Sequence, residues 1–231
     1  MNLEELNKYQ KKLDISIDKI IREEAEMIFL DKLANDDFGT KIIFYGGTAL
    51  RLAYNSPRYS EDIDLILNKT AKYIEFENFL RKIIKENNNW KLKDIKDKRN
   101  TWFGLVNVSD KKLKHNFSLK IEIRKPKEKL KLKTELLLIK SPVSILSPLL
   151  LVPTLNELKN LKIAAILDRK KARDIFDLWY IAKLQRKNFI FDYKIANYTK
   201  RHFKNELQVF LPKKYYKIIE QLYEQINSKT K

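Results

Sequence analysis

The chain has 231 residues, 44% of them hydrophobic, enough for one large domain or two small ones with a buried core. Lysine and arginine number 48 against 30 acidic residues, a net charge of +18, and there is no cysteine. That excludes disulfide scaffolds, thiolate zinc sites and thiol nucleophiles. The two histidines, His115 and His202, stand too far apart for a metal-binding helix. The acidic, polar amino end reads as neither a secretory signal nor a transit peptide. The longest apolar run, Val143 to Val152, is too short to span a bilayer and contains Pro148. The expected location is cytoplasmic.

The elements follow in chain order. Residues 3–35 read as one helix, with Ile17, Ile20, Ile21, Ala25, Ile28 and Leu33 at three- and four-residue spacing. After a turn at Asn35–Gly39 comes a short strand, Lys41–Tyr45, which runs into Gly46-Gly47 and a helix over Thr48–Ala53. Asn55-Ser56-Pro57 breaks that helix, and Asp62–Leu67 is a second strand. An amphipathic helix covers residues 71–87, β-like segments lie near 90–96, 101–108 and 116–124, and Leu136–Ile139 is a further strand candidate. The Lys-rich stretch Lys125–Lys129 follows the third of these segments. From Pro153 the pattern is helical, opening on the capping-box sequence Thr154–Glu157 and recurring near Asp174–Leu184, Ile195–Phe203 and Tyr215–Ile226. The expected organisation is an α/β domain over residues 1–145 and a helical domain over 146–231.

Charge is partitioned along this order. Residues 1–70 carry 10 basic and 13 acidic side chains, residues 71–140 carry 20 and 9, and residues 141–231 carry 18 and 8. The basic excess thus lies wholly after residue 70. Lysine-favouring codon usage and a polyanion-binding surface both account for it.

Two constellations carry chemistry. In the first, a strand ends on Gly46-Gly47 at a helix start, where exposed backbone N–H groups suit phosphate oxygens and Thr48 adds a hydroxyl. Asp62 and Asp64, two residues apart on a strand, share one face, while Ile63 and Leu65 share the other. Adjacent carboxylates repel one another, and a pair of Mg²⁺ ions would neutralise them and bridge a triphosphate. In the second, Lys162 leads into Arg169, Arg173, Asp174 and Asp177. On one continuous helix Lys162, Arg169 and Arg173 would share a face, with Asp177 beside them and Asp174 roughly 120° away. An ordinary solvated, ion-paired helix gives the same mixture of residues.

The stretches Gly46-Gly-Thr-Ala-Leu-Arg51 and Arg58-Tyr-Ser-Glu-Asp-Ile-Asp-Leu65 resemble the opening motifs of the AbiEii/AbiGii toxin family. These are nucleotidyltransferase-like proteins of the polymerase β superfamily, related to MenT-type toxins of type IV toxin–antitoxin systems. The broad superfamily pattern has Gly-Ser where this chain has Gly46-Gly47, and Thr48 is the candidate for the missing hydroxyl. Lys162 through Arg173-Asp174-Ile-Phe-Asp177 is similar to the family's lysine-plus-Arg-Asp-x-x-Asp segment.

The resemblance implies a nucleotidyltransferase-type core with a small mixed β-sheet, followed by a C-terminal helical bundle. It implies Asp62 and Asp64 as metal ligands and Gly46, Gly47, Thr48, Arg51, Arg58 and Ser60 as nucleotide-binding residues. Lys162, Arg169 and Arg173 would neutralise the triphosphate, with Asp177, or Asp174 as second choice, orienting them or positioning the acceptor. A third carboxylate from a neighbouring strand is expected in this superfamily, and Glu122 is the candidate by position. It alternates with Lys120 and Arg124 on one strand face and is equally placed to pair with either.

The implied activity is Mg²⁺-dependent transfer of a nucleotide from an NTP to RNA, the tRNA 3′ end in related toxins. A cognate antitoxin and a phage-defence role go with it. The rival readings are the same chemistry on a small molecule or a protein hydroxyl, and a nucleotide- or RNA-binding module without turnover.

Overall fold

The computed structural model describes residues 1–126, 131–169, 171–191 and 199–227. The chain divides into two compact units, one comprising Met1–Asn55 with Ser60–Pro153, the other Ser56–Tyr59 with Thr154–Lys231. The division falls at Pro153, not at residue 145, because the strand preceding it pairs within the first unit.

The first unit opens with α1 (Leu3–Leu13) and α2 (Ile17–Ala34), two helices where the periodicity predicts one. Asp14 takes a left-handed conformation with φ 55°, and Ser16 caps α2 by accepting from Lys19 N–H. A cap residue following a left-handed one stops and restarts the helix without disturbing the apolar stripe. A 3-10 turn, Asp37–Lys41, leads into β1 (Ile42–Tyr45), α3 (Gly46–Leu52) and β2 (Asp62–Leu67). Then come α4 (Tyr73–Glu86), β3 (Trp90–Asp97), β4 (Thr101–Val108) and β5 (Phe117–Arg124). Of the Lys-rich stretch at 125–129, residues 127–129 lie outside the described residues.

These strands form one mixed sheet in the order β1-β2-β5-β4-β3. Only β2 and β5 run parallel. Alternation along the central strands sends Ile63, Leu65, Leu119, Ile121 and Ile123 into the core and leaves Asp62, Asp64, Lys120 and Glu122 on the opposite face. α4 packs closely on β4: a Cβ added at Gly104 would lie 2.7 Å from Leu80 Cδ1. A separate antiparallel pair, β6 (Thr134–Leu138) and β7 (Leu149–Pro153), completes the unit. β7 is not evident from the sequence, since Pro148 and the surrounding apolar run mask its ends.

The second unit is helical: α5 (Leu155–Arg169), α6 (Ala172–Leu184), α7 (Lys200–Gln208) and α8 (Tyr216–Asn227). Of the helix expected over residues 195–203, residues 195–198 lie outside the described residues. Its core is Ile166, Ile175, Phe176, Leu178, Phe203, Leu207, Ile219 and Leu222. Phe176 and Ile181 are fully buried, so they pack and do not stack on a ligand.

Candidate active site

β1 delivers the chain to Gly46, whose φ of +86° is open to glycine and rare for any L side chain. Space makes the same demand. A Cβ at Gly46 would stand 2.2 Å from Asp64 Oδ2 and 2.8 Å from Asp64 Cβ. The glycine turn and the carboxylate therefore press against each other across the β1–β2 pair, where Tyr45 is the register partner of Asp64. Thr48 is buried, and its hydroxyl donates to the Asp62 carbonyl at 2.5 Å. This corrects the expectation that the hydroxyl points at a phosphate. It fixes the start of β2 instead.

The parallel register sets Asp62 opposite Lys120 and Asp64 opposite Glu122. Asp62 and Asp64 share a face, as the alternation predicts, and the register places Glu122 on that same face of the adjacent strand. Lys120 Nζ lies 3.1 Å from Asp62 Oδ2 and 3.2 Å from Glu122 Oε2, with all three side chains about a third exposed. Partial burial lowers the ammonium's pKa, but the two carboxylates outweigh it and raise the net value, so the lysine stays charged. Among the described residues no three acidic or histidine side chains already converge as a metal site. The donor set is nonetheless of the hard carboxylate-oxygen kind that Mg²⁺ takes, and an ammonium already serves as a cation between two of its members.

Arg51 pairs within the sheet unit. It forms a buried pair with Glu23 of α2, Nε to Oε2 at 2.9 Å and Nη2 to Oε1 at 3.3 Å, and Ser141 Oγ donates to Glu23 Oε1 at 2.5 Å. Ser60 is half-buried just before β2. Sequence reasoning missed Glu23 and its neighbour Glu26. Their signal was charge on the buried stripe of α2, between Ile20 and Met27.

Glu26 is 2% exposed, and its Oε1 has no hydrogen-bond partner among the described residues. Burial, then the nearby Glu23 charge, raises its pKa well above the usual range. The folded chain therefore holds this proton more tightly than the unfolded chain, so stability falls as pH rises from about 4.3 towards the folded pKa. Glu26→Gln is expected to remove that slope and to gain most over wild type at neutral and alkaline pH. Urea midpoints measured from pH 5 to 9 check this, and parallel curves for the two proteins would contradict it.

In the second unit the expected single basic face is not formed. The helix is not continuous, because α5 ends at Arg169 and α6 begins at Ala172. α6 instead turns its carboxylates onto α5. Lys162, 6% exposed, lies 2.6 Å from Asp177 Oδ2 and 3.0 Å from Asp174 Oδ1. Arg169 reaches Asp174 through Nε and Nη2, both at 2.8 Å. Asp174, the second choice on helical-wheel grounds, thus sits closer to the cations than that wheel implies. Burial would raise its pKa, but the Arg169 hydrogen bonds and the Lys162 charge overcome this and hold it at about 2.

Arg58 belongs to this unit as well. It forks onto Asp177 with two 2.7 Å hydrogen bonds, donates to the Tyr59 carbonyl at 2.9 Å, and is 2% exposed. Burial acts to lower its pKa, and Asp177 more than restores it. Three of its five guanidinium N–H donors are thus engaged within the helical unit. Arg173 keeps a half-buried guanidinium 5.8 Å from the Phe210 ring. His115 and His202 are exposed, and no described helix is long and apolar enough to cross a membrane.

The family model for the nucleotidyl transferase AbiEii toxin of type IV toxin–antitoxin systems matches residues 28–229. Among solved structures the chain is similar to JHP933 from Helicobacter pylori, at 18% identity and TM-score 0.56, covering 94% of this chain and 96% of that one. A second H. pylori protein, named as a candidate nucleotidyltransferase, matches at 23% identity and TM-score 0.57 over 93% and 97% of the two chains. MenT4, a nucleotidyltransferase toxin from Mycobacterium tuberculosis, matches at 18% identity and TM-score 0.57 over 90% of this chain and 70% of its own. No curated protein sequence matches. At these identities the solved structures speak for the fold, and the family match, which spans most of the chain, carries the assignment: the protein is a nucleotidyltransferase of the AbiEii family of type IV toxins.

Proposed function

We propose that this toxin transfers a nucleotide from an NTP to an RNA acceptor, the tRNA 3′ end, with Mg²⁺ held by Asp62 and Asp64. The observation that carries the reading is the set of three carboxylates, Asp62, Asp64 and Glu122, on one face of the paired strands β2 and β5 beside the Gly46 turn. Bound Mg²⁺ would supply charge neutralisation of the triphosphate and of the pentavalent α-phosphorus. The acceptor hydroxyl attacks the α-phosphorus, the bond to the bridging oxygen breaks, and pyrophosphate leaves. Glu122 accepts the proton of that hydroxyl. The backbone N–H groups of the Gly46–Thr48 turn receive the β- and γ-phosphates.

In the helical unit Lys162, Asp174, Asp177 and Arg58 form a buried frame, and we assign the partly exposed Arg169 and Arg173 to neutralising the triphosphate. An RNA acceptor is favoured by the exposed cations along the edge strand and the turn after it, Lys91, Lys93, Lys96, Lys98 and Arg99. The family assignment implies a cognate antitoxin, and we place the reaction in the cytoplasm as part of phage defence.

The test is incubation with α-labelled NTPs, Mg²⁺ and total tRNA. Wild type is expected to label tRNA, and Asp62→Ala and EDTA to abolish labelling. Transfer by Asp62→Ala at the wild-type rate would refute the assignment. RNA retention that does not weaken between 50 and 200 mM salt would refute the polyanionic acceptor.

A further inference from the structure

The carboxylate face already contains one cation, and it belongs to the chain. Lys120 is the register partner of Asp62 on the parallel strand, and its ammonium stands between Asp62 Oδ2 and Glu122 Oε2 at 3.1 and 3.2 Å. Alternation keeps it there: Leu119 and Ile121, its neighbours on β5, are fully buried, so the lysine cannot leave this face without a shift of the strand. A metal ion taking Asp62 Oδ2 and Glu122 Oε2 would have to displace the ammonium from those two oxygens.

Building on the reading of Asp62 and Asp64 as metal ligands, we propose that Lys120 permanently fills the second cation position. The nucleotide-free protein then takes up a single divalent ion instead of the pair expected from the sequence. Without the ammonium, the Asp62 and Glu122 oxygens it now engages are open to a second ion. Lys120 is a positioning residue in this account: it holds Glu122 and one oxygen of Asp62, and it limits metal uptake.

Mn²⁺ binding to the full-length, nucleotide-free protein tests this, with free Mn²⁺ read by its electron paramagnetic resonance signal. Wild type and Lys120→Arg are expected to bind one ion per chain, and Lys120→Met two, with circular dichroism reporting the fold. Lys120→Gln serves as a second neutral variant should the methionine variant fail to fold. One ion in wild type and in both neutral variants would overturn the role of Lys120 while leaving the carboxylate site standing. Two ions in wild type would likewise overturn it. Absence of Mn²⁺ binding from every protein, or undiminished binding by Asp62→Ala, would overturn the metal assignment and this proposal with it.

Discussion

Replacing Asp177 with alanine is expected to destabilise the helical unit by about 5 kcal/mol, and replacing Arg58 by about 3 kcal/mol. Both side chains are essentially inaccessible, at 0% and 2%. Removing one member of a buried ion pair leaves the other as a charge without compensation, and the size of the loss depends on what partners remain. Asp177 stripped of Arg58 still has Lys162 Nζ at 2.6 Å. Arg58 stripped of Asp177 keeps its hydrogen bond to the Tyr59 carbonyl at 2.9 Å, and Lys162 loses one of two carboxylates. The aspartate substitution is therefore the worse of the two. Urea denaturation at pH 7 reads the difference. A loss under about 1 kcal/mol for either variant would mean that the guanidinium is not held against Asp177 in the folded protein.

The network adds a pH signature. Asp174 sits at about 2 in the fold against about 3.9 unfolded. Its contribution is thus present above the unfolded value and is lost as pH falls through the folded one.

The strands that carry the site were legible because they are short, alternating and bounded by turn residues: the range Asp62–Leu67 and the common face of Asp62 and Asp64 both follow from a period of two. The register that brings Glu122 beside Asp64 was not legible. Parallel pairing of β2 with β5 joins residues nearly 60 apart, and no local pattern specifies it.

The cations were legible as positions but not as pairs. Arg51, Arg58, Arg169 and Lys162 sit in motif positions and read as phosphate ligands. The structure pairs each with a carboxylate, from α2 for Arg51 and from α6 for the others. Sequence spacing shows where a cation lies along its own helix, but not which acidic residue another helix brings to it. The stretch Arg58–Leu65 also reads as one motif, yet Arg58-Tyr59 belongs with the helical unit and Ser60 onward with the sheet unit.

Gly46→Ala is expected to cost nucleotide transfer far more than it costs stability. The methyl group would meet Asp64 Oδ2 at 2.2 Å and Asp64 Cβ at 2.8 Å. The second contact matters most, because a rotamer change moves the carboxylate oxygen but not the Cβ. The strand or the turn must give way, and Asp64 moves with it. Alanine at φ +86° adds strain of about 1–2 kcal/mol, which lowers stability modestly. Displacing a metal-binding carboxylate by about 1 Å costs on the order of 10²-fold in rate. With Asp64 as the proposed metal ligand, loss of ligation brings the deficit to about 10³-fold, or ~4 kcal/mol of transition-state stabilisation.

Gly104→Ala is the matched control. Its Cβ meets Leu80 Cδ1 at 2.7 Å in the core, so overpacking costs about 1–3 kcal/mol without touching the carboxylate face. Initial rates measured below the unfolding transition of each variant separate the two effects. Equal activity in Gly46→Ala and wild type would mean that Asp64 does no work in the reaction, whatever the fate of Asp62.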